Sequence, residues 1–299
     1  RDSLCSVDHL QLYFKKLQDK YESILASYPH LSYLGSRPEN ISYSIPVPEY
    51  VNESHFIHCF QTEEVAVSQS KLRDLVLKKL LEKEINVKLN TKVIGIKKQA
   101  AYQYEVTTPE GSQSFDFLVN CLWENQQIMD QQLGCNDRRE INLRLKFGIT
   151  SSYLNELSFI PSISMVSGQY GDFVNFQTST DPKMYFSWYP ISRYGMVVDQ
   201  SIPEEWNDIC NHNFPDHLFQ FQIDNQLAIY QKLFSKNFKF IDPQLVPGII
   251  VARGNEDIGN HESELHQRSE NPVFCSDGYF SISTGKFTSI PYNTHLASL

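Results

Sequence analysis

Apolar side chains at Leu10, Phe14, Leu17, Tyr21 and Leu25 recur at helical spacing, so residues 8–28 read as an amphipathic helix. Asp8 stands where it can cap that helix, and Pro29 ends it. Residues 31–54 carry Pro38, Pro46 and Pro48 and read as a loop crossing between layers. Short strands are expected at 55–60 and 64–67. A helix then runs from a Ser68 or Ser70 cap to about residue 83, with Leu72, Leu75, Val76 and Leu80 on one face. Strands follow at 85–89, 93–97 and 102–108, the last leading into the turn Pro109-Glu110-Gly111. The continuous run at 115–121 predicts a strand buried on both faces, the habit of parallel sheets. From Ile141 the pattern changes to long alternating strands at 141–149, 172–178, 183–189 and 195–199, a mostly antiparallel sheet. A helix over 216–235 and a strand over 248–253 come next, then a polar loop or short helix over 254–270. The chain closes with strand material at 273–282, turning at Asp277-Gly278, and a helix over 286–299.

With 299 residues, 41% hydrophobic and 20% charged, the chain can build one large or two modest cores. The net charge of −9 argues against a general nucleic-acid surface, and no apolar run approaches the ~18 residues of a membrane span. The first residue is Arg1, with no signal-peptide pattern after it, so the start reads as processed, trimmed or never recovered. Cys5, Cys59, Cys121, Cys135, Cys210 and Cys275 are scattered with no C-x-x-C pair, as expected of free thiols in a cytoplasmic protein. The 16 Tyr, 19 Phe and 3 Trp suit a cofactor or sugar pocket, and equally a β-rich core.

Three stretches stand in an informative order. The first is Thr62-Glu63-Glu64-Val65-Ala66-Val67, with Leu72 opening the next helix, then Val87 and the strand at Val93. The second is Phe115-Asp116-Phe117-Leu118-Val119-Asn120-Cys121-Leu122-Trp123. The third is Gly278-Tyr279-Phe280-Ser281-Ile282 followed by Thr284-Gly285-Lys286-Phe287-Thr288-Ser289-Ile290-Pro291. Together they resemble the FAD-dependent oxidoreductases of the D-amino-acid-oxidase/glycine-oxidase type. Ser263, Leu265, His266 and Arg268 are similar to a pattern of glycerol-3-phosphate dehydrogenases, a related branch.

The resemblance implies an α/β fold, with an FAD-binding nucleotide part joined to a mostly antiparallel substrate-side sheet. It implies cofactor contacts at Val93 (adenine side), at Asn120 and Cys121 (the strand ending beside the flavin), and at Gly278, Thr284, Gly285, Lys286, Phe287 and Thr288 (the closing turn). A glycine at such a junction lets backbone approach a ligand, and a helix beginning near Lys286 directs N–H groups at whatever precedes it. The implied chemistry is oxidation of a C–H beside an amine or hydroxyl by hydride transfer to the flavin, so the protein supplies position and charge. No catalytic side chain is assigned. For a small substrate with an anionic group, Arg253 and Arg268 offer forked donors, and Tyr185 is a candidate wall residue beside Trp188 and Tyr189.

The departures are equally specific. The sequence has 13 glycines and no G-x-G-x-x-G, the loop that seats the cofactor pyrophosphate in that family. The chain therefore reads as lacking that N-terminal segment, with FAD absent or weakly held and an apolar edge near 85–96 and 115–121 left for another chain or a second copy to cover. The expected division is 1–140 for the remainder of the FAD-binding part, 141–250 for the substrate-side sheet and helix, and 251–299 for the return. A non-catalytic binding protein that kept the fold, or an aromatic-rich carbohydrate-binding protein, stays open as an alternative. His261-Glu262-Ser263-Glu264-Leu265-His266 spaces its histidines five apart, off one helical face, so no metal is expected there. His55 and His58, on a strand, would point to opposite sides, and no G-x-S-x-G elbow occurs.

Overall fold

The computed structural model describes residues 3–135, 140–152, 154–166, 168–176, 183–199, 201–260, 273–282 and 289–298. Helix α1 (Val7–Ser27) forms where the apolar spacing predicts, but Ser6 caps it instead of Asp8. Ser6 Oγ accepts the His9 N–H at 3.1 Å, and Asp8 sits inside the first turn, where its charge complements the helix dipole. The proline-bearing stretch is not all loop: β1 (Ser42–Ile45) pairs antiparallel with β2 (Cys59–Thr62), and Pro46 ends it. The strand expected at 55–60 starts later because Asn52 folds the chain into a turn. Its side chain accepts the Ser54 N–H at 3.1 Å, and its carbonyl accepts that of His55 at 3.0 Å. No strand forms at 64–67.

Helix α2 (Gln69–Glu82) matches its predicted span, with Ser68 Oγ accepting from the Lys71 N–H at 3.4 Å. Residues 85–94 alternate in sequence yet pair with nothing as strand. The β block instead begins with β3 (Gly95–Ala100), β4 (Gln103–Thr108) and β5 (Gly111–Phe115), an antiparallel meander. The run at 115–121 breaks in two: β5 ends at Phe115, and β6 (Leu118–Asn120) leaves for a different sheet. The expectation of a strand buried on both faces is thereby corrected, since Val119 is exposed and Asn120 buried. A helical segment follows, α3 (Gln126–Gln132), which the apolar pattern does not announce.

Beyond it lie β7 (Ile141–Ser152), β8 (Ile163–Ser164), β9 (Gly171–Phe176), β10 (Lys183–Trp188), the short α4 (Tyr189–Ser192) and β11 (Arg193–Val198). The chain ends with α5 (Glu204–Cys210), α6 (Asp216–Leu233), β12 (Gln244–Arg253), the hairpin β13 (Val273–Ser276) and β14 (Tyr279–Ile282), and α7 (Ile290–Ala297). The protein is a mixed α/β chain with several antiparallel sheets.

It divides into two units. One gathers residues 1–73, 147–192 and 214–246, the other 74–146, 193–213 and 247–299. The chain passes from one unit to the other at 73/74, 146/147, 192/193, 213/214 and 246/247. The lead-in 1–73 groups with the antiparallel sheet and not with 74–140.

In the first unit β10 lies between β9 and the second half of β7, antiparallel to both: Tyr185 faces Thr150 on one side and Val174 on the other. Aromatic rings fill the space beneath. Phe186 lies within 5.1 Å of Tyr230 and 4.8 Å of Phe240, and Phe173 within 5.1 Å of Phe234, centroid to centroid. Tyr230 carries a hydroxyl into this core and satisfies it there. It lies 2.7 Å from the Asp172 carbonyl oxygen and accepts the Ser187 N–H at 3.2 Å, and Gln226 Oε1 on the same helix accepts the Trp188 N–H at 3.1 Å, so α6 is tied to β9 and β10. Burial holds the Tyr230 phenol well above its ordinary range.

In the second unit β11 pairs antiparallel with the first half of β7, Met196 facing Arg144. A separate core packs Ile96, Tyr104, Val106, Met129 and Tyr279, with Val93, Leu118, Ile128 and Leu133 around it. Gly195 admits the Trp206 indole, which would lie 2.7 Å from an added Cβ.

Gly171 shows how close the strands of the first unit come. A Cβ there would meet the Ser187 carbonyl oxygen at 1.7 Å, a backbone atom that cannot swing aside. Gly171→Ala should therefore lower stability by about 3 kcal/mol. Gly248→Ala, with nothing within 4 Å of the new Cβ, should stay within about 0.5 kcal/mol of wild type. Urea unfolding midpoints of the two variants check the contrast.

Candidate functional site

β6 and β14 are the one pair of parallel strands described, and they come from opposite ends of the second unit's sequence. Their register is Leu118 to Tyr279, Val119 to Phe280 and Asn120 to Ser281. Both strands therefore end on the same edge. In parallel sheets that carboxyl edge is where connecting loops gather and ligands bind. The segment after β6 is Cys121-Leu122-Trp123.

A polar cluster locks the two strand ends together. The Asn120 amide is 4% exposed. It donates to Asp130 Oδ1 at 2.8 Å and to the Gln126 carbonyl at 2.9 Å, and lies 3.0 Å from the Tyr279 hydroxyl. Its Oδ1 accepts the Leu122 N–H at 3.1 Å and so shapes the loop that follows. The Tyr279 hydroxyl donates to Asp130 Oδ1, and Ser281 Oγ donates to Oδ2 at 2.7 Å. Gln126 Nε2 closes the ring on Ser281 Oγ at 2.6 Å. One carboxylate on α3 thus takes hydrogens from both parallel strands. Burial, and then the bond to Asp130, hold the Tyr279 phenol far above its ordinary range.

The positions expected to matter fall as follows. Asn120 commits its side chain wholly to the chain's own structure, whereas Cys121 and Leu122 beyond it are exposed. Val93 lies outside β3, half-buried against the core that contains Ile96 and Tyr279. Gly278 has φ +89 beside Asp277 at φ +49, the geometry of a two-residue hairpin turn. A Cβ there would meet the Asp116 carbonyl oxygen and the Tyr102 ring, both at 2.9 Å, so the close approach at Gly278 is made by this chain. Thr284, Gly285, Lys286, Phe287, Thr288 and Arg268 lie outside the described residues, as do His261 and His266.

Arg253 closes β12, as the apolar run before it predicts. Asp257, four residues on, forms an ion pair with Arg193, and Arg144 Nη1 stands 3.7 Å from it with its side chain 1% exposed. Tyr185 belongs to the first unit. Its ring covers Gly148, whose Cβ would come within 2.1 Å of it. Burial raises its phenol pKa. The shared wall expected of Tyr185 and Tyr189 does not form along one strand, because β10 stops at Trp188 and Tyr189 opens α4. Among the described residues no group of three or more His, Cys, Asp or Glu could hold a metal ion, and no helix is long and apolar enough to cross a membrane.

Sequence reasoning missed Asp130 and Gln126, since nothing in a polar heptapeptide advertises a buried acceptor. It also missed the conformation of Trp123. With φ +53 this residue holds a left-handed turn that costs any side chain about 1 kcal/mol. The indole N–H donates to the Ile249 carbonyl at 2.8 Å and helps hold it there.

No protein-family model matches the sequence, and no curated protein matches it. Among solved structures the chain is similar to L-proline dehydrogenase from P. horikoshii at 11% identity and a TM-score of 0.42, covering 76% of this chain and 53% of that one. It is similar to glycine oxidase from Geobacillus kaustophilus at 9% identity and a TM-score of 0.42, covering 70% and 46%. A flavin-dependent brominase aligns at 15% identity and a TM-score of 0.40, covering 77% and 52%. The chain spans about half the length of each of these proteins.

The Asp130 cluster makes two predictions. Asp130→Ala leaves buried donors of Asn120, Tyr279 and Ser281 without their acceptor, and should cost about 2–4 kcal/mol in chemical denaturation. The raised Tyr279 and Tyr230 phenols keep their protons in the folded state, while the unfolded chain releases them near the ordinary value of 10.0. Their contribution is complete below pH 10.0 and is lost as pH rises beyond it. The double variant Tyr230→Phe, Tyr279→Phe should flatten that alkaline decline, as read from unfolding midpoints between neutral and strongly alkaline pH.

Proposed function

We propose that this chain is the flavin- and substrate-facing portion of an FAD-dependent oxidoreductase that acts on a small amine, amino acid or hydroxy compound. The observation that carries the reading is the parallel pairing of β6 with β14. Two of the three stretches that resemble the D-amino-acid-oxidase type meet here although their paired residues Asn120 and Ser281 are 161 positions apart in sequence. They nevertheless run side by side and end on one edge, as a shared ligand site requires.

The described residues fit one side of such a site. Cys121 and Leu122 offer exposed backbone at the strand end, and Asn120, tied to Asp130, holds that backbone in place. They do not supply the pyrophosphate cradle, and the sequence has no G-x-G-x-x-G to do so. When bound, a flavin supplies the two-electron acceptor for oxidation of a C–H bond. The chain's part is to orient the substrate, with Arg253 and Arg268 as the forked cations for an anionic group and Tyr185 as a wall residue.

Flavin titration tests the reading. FAD added to the full chain should show weak, saturable quenching of its fluorescence, and the protein should not carry flavin stoichiometrically through purification. Gly285→Val should abolish the quenching, while Leu12→Ala, an exposed change on α1, should leave it intact. Quenching that never saturates, or that survives Gly285→Val unchanged, would turn the assignment to a binding protein without cofactor chemistry.

A further inference from the structure

Trp123 stands in a backbone conformation that its residue type disfavours. At φ +53 it is left-handed, a turn that glycine takes freely and a bulky residue does not. Two sets of bonds hold it there. Asn120 Oδ1 accepts the Leu122 N–H at 3.1 Å, and the Leu122 carbonyl accepts the Asn125 N–H at 3.0 Å, so the chain is fixed on both sides of the turn. The indole N–H then donates to the Ile249 carbonyl at 2.8 Å, across 126 positions of sequence. Ile249 lies in the part of β12 that belongs to the second unit, as do β6 and α3. Alternation along a strand puts Ile249, Val251 and Arg253 on one face, and four residues at roughly 3.3 Å each span about 13 Å. Backbone strain of this kind persists only where the surroundings over-determine it, and it gathers at sites that hold a ligand.

We infer that Trp123 is a positioning residue of the site proposed above: its indole ties the strand end offered to the flavin to the strand that carries Arg253. The inference rests on the flavin reading. A glycine would make the same turn without strain but would reach nothing, and a phenylalanine has a ring but no N–H to donate. Tryptophan brings a rigid arm with a donor at its tip. The base of that arm is anchored, because Asn120 is itself held by Asp130 on α3. Its tip grips a main-chain carbonyl, so the tie acts on the course of β12 whatever side chain stands at 249. Ordering of the exposed Cys121-Leu122 backbone by a ligand is therefore passed to β12 through this one hydrogen bond. The arginine that meets an anionic substrate group stands at the end of the same strand.

Hydrogen–deuterium exchange of the full chain, with and without FAD, tests it beside the FAD fluorescence titration. In wild type, saturating FAD should slow exchange over residues 244–253 by roughly threefold or more. Trp123→Phe keeps a ring and loses the donor. FAD should still bind to it, roughly threefold to tenfold more weakly, the range that one neutral hydrogen bond spans. The slowing over 244–253 should disappear. Trp123→Gly, which relieves the turn, should lose the same slowing and keep the circular dichroism of wild type. A tryptophan with a merely structural role would leave the FAD-dependent slowing in place and speed exchange across the second unit with or without FAD. Slowing that persists in both variants, or that is absent from wild type although quenching saturates, would overturn the inference and leave the flavin reading standing. Absence of saturable quenching in wild type would overturn both.

Discussion

The Asp130 carboxylate is the acceptor on which the second unit's arrangement depends. A parallel pair of strands cannot be closed by a tight turn, and β6 and β14 are only three and four residues long. So few ladder bonds do not by themselves align segments this distant in sequence. Asp130 takes hydrogens from Tyr279 and Ser281 on one strand and from Asn120 on the other. Bonds to a charged acceptor are the stronger kind, and a half-buried site shields them from water. Register follows from the same cluster, since a slip of one residue would turn Asn120 or Ser281 away from α3.

The first unit solves the corresponding problem with rings. Phe173, Phe186, Phe234, Phe238 and Tyr230 fill the space under β9 and β10, the strands approach so closely that Gly171 has no room for a side chain, and the Tyr185 ring occupies the space at Gly148. The Tyr230 hydroxyl, buried among these rings, is bonded to backbone groups of Asp172 and Ser187. One unit is thus aligned by area and shape, the other by a few directed bonds. The directed solution has a functional consequence. It leaves the strand ends and the outward face of β6 free of core packing, where Cys121, Leu122, Val119 and Phe117 remain exposed.

Long periodic segments were legible in the sequence because their signal is local. The spacing of Leu10 to Leu25 predicts α1, the run from Leu218 to Leu233 lies within the expected helix α6, and the alternation after Ile141 predicts β7, β9, β10 and β11. The Asp277-Gly278 pair marks its hairpin for the same reason, since both residues take the left-handed backbone such a turn demands. The strand at Leu118 does pair parallel, but not for the reason its apolar composition suggested, since Val119 is exposed and the strand is not buried on both faces. Failures gathered where a neighbour distant in sequence overrides local preference. Residues 85–94 alternate but find no partner strand, and Asn52 withdraws His55 from its strand by a side-chain turn.

The candidate site divides along the same line. Gly278 and Asn120 stood out as residues of special type, and both occupy special positions, but the reasons are tertiary. Gly278 is needed because Asp116 and Tyr102 crowd it, and Asn120 because Asp130 and Tyr279 surround it. Periodicity by itself determined the long helices and the run of alternating strands after Ile141, and the cysteine spacing offered no metal-ligand pattern. Which strands meet and where a single carboxylate is buried were decided only by the tertiary structure. A hydrogen bond or a packed ring depends on atoms within a few ångströms, and separation along the chain says little about which atoms those will be.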